Sequence, residues 1–216
     1  MEYENKDICK KCGGFCCKKS GCDYYVSDLD VINKENLSKL LDTGNVSIVA
    51  AIQFSKLNNG KKCCTPFLYL RARNVDRDVI DLFSMKKQCS MLTDTGCMYD
   101  VSKRPSGGVN LIPGENMKCS PLLDPRVEVA KWNDYQNILS KLVKRYSGMS
   151  VDARFRLDVE NVFFDILTEN FEGVSPIEIA DVLSCFNDLV EIFPDEFKKA
   201  RARVNSNPLV LKKRRQ

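Results

Sequence analysis

Histidine is absent from this sequence of 216 residues, and tryptophan occurs only once, at Trp132. The absence of imidazole excludes histidine-based acid–base catalysis and restricts any metal site to thiolate, carboxylate, backbone or exogenous ligands. A G-x-G-x-x-G phosphate-binding loop is also missing, and the paired glycines are Gly13-Gly14 and Gly107-Gly108. The residues themselves therefore indicate no orthodox nucleotide site.

Long apolar segments are missing too. No run approaches the roughly 18 residues typical of a membrane-spanning helix, and residues 1–11 are too polar for a secretory signal. We therefore expect a cytoplasmic protein without a membrane span. With 44% apolar residues, the chain can build a proper hydrophobic core.

An excess of one charge sign is confined to the C-terminus. Four of the 33 basic residues are Lys212, Lys213, Arg214 and Arg215, which leaves 29 basic against 29 acidic residues elsewhere. A neutral body argues against nucleic-acid binding, which normally uses a basic folded surface. Residues 205–216 are interpreted as a basic flexible tail.

Cysteine, by contrast, is abundant, with 11 residues in the chain. A reducing cytosol disfavours structural disulfides, and closely spaced thiols in that compartment more often bind metal or take part in redox chemistry. Thiolates select zinc, copper(I) or iron–sulfur clusters over magnesium and calcium.

The first cysteine motif lies near the N-terminus. Cys9 and Cys12 form a CxxC turn that brings two sulfurs to one centre, and the glycines after Cys12 let backbone amides approach the sulfurs. Cys16 and Cys17 are adjacent, so their side chains diverge and suit different atoms of a cluster better than a single zinc ion. This arrangement favours an iron–sulfur cluster over zinc.

The second cysteine group consists of Cys89 and Cys97. The segment from Cys89 to Tyr99 is typical of two short strands joined by a turn at residues 94–96, and a hairpin brings both cysteines close together. Their sulfurs can then join the centre begun by the N-terminal motif. The alternative is that both are small buried hydrophobic side chains.

These motifs resemble the CxxCxxCC cysteine-cluster family, whose members are described as zinc- or iron-chelating proteins and include the flagellin lysine N-methylases. The resemblance covers about residues 9–121 and rests on the N-terminal motif, Cys89 with Leu92, Gly96-Cys97-Met98-Tyr99, and Arg104-Pro105. It implies a cysteine-bound cluster, with S-adenosylmethionine as a further cofactor and a protein substrate in the methylase members.

The chain departs from the family pattern after Tyr99. Four residues separate Tyr99 from Arg104 where the family has two, and the cysteine expected soon after Arg104-Pro105 is absent. We interpret residues 106–118 as an inserted loop and Cys119 as the last ligand. The predicted metal ligands are therefore Cys9, Cys12, Cys16, Cys17, Cys89, Cys97 and Cys119.

The remaining cysteines give weaker signals. Cys22 is either a spare ligand or a packed residue. Cys63 and Cys64 are either redox-active or thiols without a role, and Cys185 is interpreted as a core residue inside a helix.

The pattern along the chain predicts an α+β fold. Residues 1–123 form a small mixed cysteine-cluster domain, with a helix from about Ser27, an apolar run at Val46–Phe54, and strand-like segments at Phe67–Leu70 and Val79–Phe83. Residues 124–204 form a helical region, and Trp132 is expected to pack against the cysteine domain.

Three helices are predicted in the second region. The first begins at Pro125 with Asp124 as its N-cap and ends at Gly148. Its inner face includes Val127 and Tyr135. The second has an apolar face from Val151 to Ile166. The third begins at Ser175-Pro176 and ends before Pro194, with an apolar face made of Ile179, Val182, Leu183, Phe186, Val190 and Phe193.

Three functional classes follow from these observations. The preferred one is a cytoplasmic metal-binding protein that holds an iron–sulfur cluster or zinc. The second, from the resemblance alone, is a protein-lysine N-methyltransferase that uses a cluster and S-adenosylmethionine. The third is a zinc-stabilised interaction module.

Overall fold

A computed structural model describes residues 22–73, 78–86, 89, 92–93, 96–97, 103–113, 119–174 and 176–207. These residues have the expected α+β fold, with all described strands before Leu122 and most of the helices after Asp124. The main sheet has the order β1-β3-β2-β4 and contains β1 (Asp23–Tyr24), β2 (Val46–Lys56), β3 (Lys62–Ala72) and β4 (Ile80–Asp81). Two short antiparallel ladders pair β5 (Leu92–Thr93) with β6 (Gly96–Cys97) and β7 (Leu111–Pro113) with β8 (Cys119–Pro121).

Several helices pack against this sheet, and most of them follow it along the chain. Within the described residues, 3-10 segments include Val26–Asp28 and Lys131–Tyr135. The α-helices are α1 (Lys34–Asp42), α2 (Ser106–Val109), α3 (Pro125–Ala130), α4 (Gln136–Ser147), α5 (Val151–Leu167), α6 (Pro176–Ser184), α7 (Phe186–Ile192) and α8 (Pro194–Ser206).

The long β2–β3 hairpin gives the sheet two different faces. In its antiparallel register Ile48 lies opposite Leu70 and Ser47 opposite Arg71, so alternate residues face opposite sides. Ile48 and Leu70 are fully buried in the core. The other face carries Tyr69 and Arg71.

One hydrophobic core joins the segments before and after residue 124. Its buried members run from Cys22 to Ala200 and include Trp132, which has no exposed surface. The Trp132 indole N–H donates to the carbonyl of Tyr24 at 2.9 Å. The predicted packing of Trp132 against the cysteine-bearing part is therefore confirmed.

The first part of the chain differs from expectation in where its elements begin. Instead of a helix from Ser27, a 3-10 turn is followed by α1, which starts at Lys34 because the Asn33 side chain accepts a hydrogen bond from the Asn36 amide. The apolar run after Val46 is confirmed as β2, whereas only Ile80–Asp81 of the segment 79–83 forms a strand.

The predicted caps of the first C-terminal helix are confirmed, but its continuity is wrong. Asp124 accepts from the Arg126 amide, and Gly148 ends α4 with a φ of 72°. A 3-10 segment separates α3 from α4, and it buries Trp132 while Val127 stays 57% exposed.

The predicted third helix is two helices. Cys185 lies between α6 and α7, and Leu183 is 47% exposed rather than buried. Pro194 does not end the helical region but occupies the first turn of α8, where its missing N–H is tolerated. Residues 205 and 206, which were expected to belong to the flexible tail, are the last two residues of α8.

Ser175 and residues 208–216 lie outside the described part. Among the described residues, no helix has both the length and the apolar character needed to cross a membrane.

Candidate metal centre

Cys22 stands at the beginning of the main sheet. Its carbonyl accepts the Ala72 amide at 2.8 Å, which extends the pairing of β1 with β3 by one residue. The next residue, Asp23, accepts a hydrogen bond from Arg71 Nε at 2.6 Å. These two contacts hold the chain on the C-terminal side of Cys22, a residue that is 4% exposed.

Cys89 reaches Cys22 from a distant part of the sequence. The two Sγ atoms lie 4.0 Å apart, and the Cys89 side chain is 2% exposed. Cys22 precedes β1 at one edge of the sheet, whereas Asp81 ends β4 at the other edge. Cys89 therefore lies near the β1 edge, although it follows Asp81 by only eight residues in the chain.

The two glycines of α2 pack directly on this cysteine. A Cβ atom at Gly108 would lie 2.6 Å from Cys22 Sγ, and one at Gly107 would lie 2.6 Å from the Asp23 carbonyl oxygen. Such distances are too short for any side chain, so glycine is required here because of the close approach. Gly108 therefore packs closely against Cys22, and Gly107 packs closely against Asp23.

A carboxylate holds the start of α2 in place. Asp28 accepts hydrogen bonds from the Ser106 amide at 3.0 Å and from the Ser106 hydroxyl, and also from the Tyr25 amide at 2.7 Å. Asp28 therefore links the segment just after β1 to the helix that covers Cys22.

A second carboxylate anchors the segment that leads to Cys89. Buried Asp158 on α5 accepts the Leu82 amide at 2.9 Å and pairs with Arg154 at 3.0 Å. Burial raises the pKa of Asp158 to about 6, although Arg154 and the Leu82 amide act in the opposite direction. The helical region thus fixes the point from which the chain departs towards Cys89.

Cys97 is connected to Cys89 through Leu92. The Leu92 amide donates to the Cys89 carbonyl at 3.2 Å, and Leu92 lies opposite Cys97 in the β5–β6 ladder. This pairing confirms the expected strands, except that Gly96 belongs to β6 and not to the turn. Residues 94–95 lie outside the described part.

Cys119 occupies the start of β8, opposite Pro113, and is half-buried. The expected insertion after Arg104-Pro105 is partly regular, because it contains α2 and β7. Asn110 joins these elements to Leu123: its side-chain oxygen accepts the Leu123 amide at 3.0 Å, and its side-chain amide donates to the Tyr25 hydroxyl at 3.2 Å.

The four N-terminal cysteines that were predicted as ligands (Cys9, Cys12, Cys16 and Cys17) lie outside the described residues. Within the described part, no group of three or more cysteine, aspartate or glutamate side chains is arranged to hold a metal ion. What the described part contributes is the pair of Cys22 and Cys89, with Cys97 nearby.

The other cysteines lie apart from this pair. Cys63 faces Ser55, with 3.0 Å between Sγ and Oγ, whereas the neighbouring Cys64 packs against the core. Burial raises the pKa of Cys64 to about 11, and the nearby Cys63 adds to the effect. Cys185 is half-buried and its thiol donates to the Val182 carbonyl at 3.2 Å.

Comparison with known proteins found no match: no family model, no curated protein and no solved structure matches the chain. The resemblance to the cysteine-cluster family therefore stays a prediction.

The sequence did not decide whether Cys22 is a metal ligand or a packed residue. Its spacing of five residues from Cys17 fits no ligand motif, so the cysteine pattern alone could not select it. A usable signal was present in Gly107-Gly108, since adjacent glycines often mark a place where another part of the chain approaches closely.

Proposed function

We propose that this chain holds a metal centre, an iron–sulfur cluster or zinc, through cysteine thiolates that include Cys22 and Cys89. The observation that carries the proposal is the 4.0 Å separation of two buried sulfurs that are 67 residues apart in sequence. Cys97 and Cys119 remain proposed ligands, together with Cys9, Cys12, Cys16 and Cys17.

The separation of the two sulfurs suits ligands of a single metal atom. With metal–sulfur bonds of about 2.3 Å and tetrahedral angles, two thiolates on one atom lie about 3.8 Å apart. Zinc, a single iron, or one iron of a two-iron cluster binds two cysteines in this way, whereas each iron of a four-iron cluster binds one. A metal atom bound by both Cys22 and Cys89 would therefore belong to one of the first three kinds of centre.

The surroundings of the pair support a buried site. Soft thiolates are the natural ligands for these metals, and the chain has no histidine to compete with them. The glycines of α2 let this helix pack closely against Cys22 and Asp23. A cytoplasmic location fits the proposal, because thiolates remain reduced there.

The test is anaerobic purification of the full chain, followed by a visible spectrum and analysis of iron, zinc and acid-labile sulfide. Iron and sulfide in equal amounts with broad visible absorbance would identify a cluster. Stoichiometric zinc in a colourless protein would identify a zinc site. A protein that holds neither metal under these conditions would contradict the proposal.

The two other functional classes stay predictions. Lysine methylation, with its S-adenosylmethionine cofactor and protein substrate, rests on the resemblance, and the interaction module rests on the possibility of structural zinc. Binding of S-adenosylmethionine to protein that contains a cluster is the measurement that would favour methylation.

A further inference from the structure

A cleft of about 250 Å³ lies on the sheet face opposite the buried core. Its floor includes Val49 and Ala51 of β2 and Tyr69 and Arg71 of β3, and its wall is formed by residues 81–86 after β4. The volume is below the roughly 300–1,000 Å³ of pockets for drug-sized molecules, so its ligand must be small.

Tyr69 supplies a hydroxyl proton to this cleft. The side chain is 5% exposed, and its oxygen accepts a hydrogen bond from Arg71 Nη2 at 2.6 Å. No described residue accepts the proton of the Tyr69 hydroxyl. Because burial raises the pKa of Tyr69, this hydroxyl stays protonated at neutral pH and can donate to a ligand.

Arg71 still has N–H groups that can donate hydrogen bonds after its contacts with Asp23 and Tyr69. Nε is used for Asp23 and Nη2 for Tyr69, whereas Nη1 has no partner among the described residues. A guanidinium presents five N–H groups in a fixed plane, so the remaining ones can still bind an oxyanion.

Lys86 adds a further positive charge to the lining of the cleft. Its backbone is held by Ser84, whose hydroxyl accepts the Lys86 amide at 3.0 Å. The Lys86 ammonium makes no ion pair within the described part of the chain.

The overall charge of the lining is positive. Arg73 also lines the cleft and adds a third cation, whereas Asp81 is the acidic residue of the lining. Asp23 pairs with Arg71, and Lys86 is a second cation of the lining.

We propose that this cleft binds a small organic anion. Its carboxylate or phosphate group accepts hydrogen bonds from Tyr69, Arg71 and Lys86, and its short apolar body packs on Val49 and Ala51. The proposal is independent of the metal centre, since none of these residues is a proposed metal ligand.

The test is a calorimetric titration of the full chain, as purified, with four probes of matched length at constant ionic strength. The probes are butyrate, butyl phosphate, butylamine and 1-butanol. We expect at least one anion to bind, whereas the amine and the alcohol do not. The preferred anion distinguishes a carboxylate ligand from a phosphate ester.

Two variants locate the binding. Lys86→Gln should weaken anion binding about tenfold to a hundredfold, the usual loss for one charged hydrogen bond. The control is Lys56→Gln, which makes the same charge change at the exposed end of β2 and should leave binding unchanged. Tyr69→Phe should also weaken binding, since it removes only the hydroxyl.

Two results would overturn the proposal. One is that neither anion binds. The other is that Lys86→Gln and Lys56→Gln weaken binding equally, which would indicate nonspecific attraction to positive charge.

Discussion

The two described groups of cysteines show opposite relations between sequence and space. Cys63 and Cys64 are neighbours in the chain, but they lie on β3 and therefore face opposite sides of the sheet. Cys22 and Cys89 are far apart in the chain, yet their sulfurs lie 4.0 Å apart in the core. Cys63 and Cys64 are adjacent in the sequence but are kept apart by the strand. Cys22 and Cys89 are distant in the sequence but are brought together by the fold.

The chemical surroundings of the two pairs of cysteines also differ. Around Cys22 and Cys89, the chain provides glycines that leave room for sulfur and carboxylates that anchor the neighbouring segments. Around Cys64, burial without a nearby cation beyond Arg156 raises the thiol pKa to about 11. The first environment suits a ligand, whereas the second suits an unreactive core residue.

The largest effect is expected from Gly108→Ala. The new Cβ would lie 2.6 Å from Cys22 Sγ, so the sulfur or α2 must move. We expect a loss of about 1–3 kcal/mol in the free energy of unfolding, typical of overpacking, together with a loss of bound metal. Urea denaturation and metal analysis would measure the two effects.

The matched control for this change is Gly60→Ala at the β2–β3 turn. Gly60 has a φ of 79° and open space around it, so alanine there should cost roughly 1–2 kcal/mol through backbone strain alone. It should leave the metal content unchanged. Equal metal content in the Gly108→Ala and Gly60→Ala variants would show that the packing of α2 on Cys22 does not affect metal binding.

The next effect concerns the pH dependence of stability at Asp158. Its pKa rises from an ordinary value near 4 to about 6 on folding, so the folded state binds more protons than the unfolded state between those values. The stability that this group contributes is therefore present below pH 4 and is lost as the pH rises through 6, by roughly 1–3 kcal/mol.

Asp158→Asn removes this titration, and its unfolding free energy should change less between pH 4.5 and 7 than that of the unmodified protein. Denaturation curves at the two pH values measure the difference. The exposed Asp195→Asn serves as control and should keep the original dependence. An unchanged dependence in Asp158→Asn would show that other groups cause it.

The smallest effect is a difference in thiol reactivity at Cys64. A pKa near 11 leaves about a hundredfold less thiolate at pH 8 than an ordinary thiol with a pKa of 9 would have. We expect slow alkylation of Cys64 by iodoacetamide in the folded protein and fast alkylation in urea, measured by peptide mass spectrometry. Equally fast reaction of Cys64 in both states would contradict its raised pKa.

Local signals in the sequence predicted much of the fold. The N-cap at Asp124, the glycine end at Gly148 and the apolar run of β2 depend on nearby residues, and all three are confirmed. The breaks near Trp132 and Cys185 depend on tertiary packing, which periodicity does not report.

The candidate site was harder to predict for a related reason. The sequence between Cys89 and Cys97 predicted the two short strands β5 and β6, since strand pairing over a few residues is local, but Cys97 lies opposite Leu92 and Cys89 precedes β5. The meeting of Cys22 with Cys89 joins segments that leave opposite edges of the main sheet, and Gly108 of α2 packs against Cys22. Neither contact can be predicted from the cysteine spacing.

The most direct test of the metal centre compares two double variants after anaerobic purification. Cys22→Ser with Cys89→Ser removes the paired sulfurs, and Cys63→Ser with Cys185→Ser removes two thiols that lie elsewhere. We predict that the first variant loses most of its bound iron or zinc and melts at a lower temperature, because metal binding stabilises the fold. The second should keep the metal content of the unmodified protein. Full metal content in the Cys22→Ser, Cys89→Ser protein would contradict the assignment of this pair as ligands.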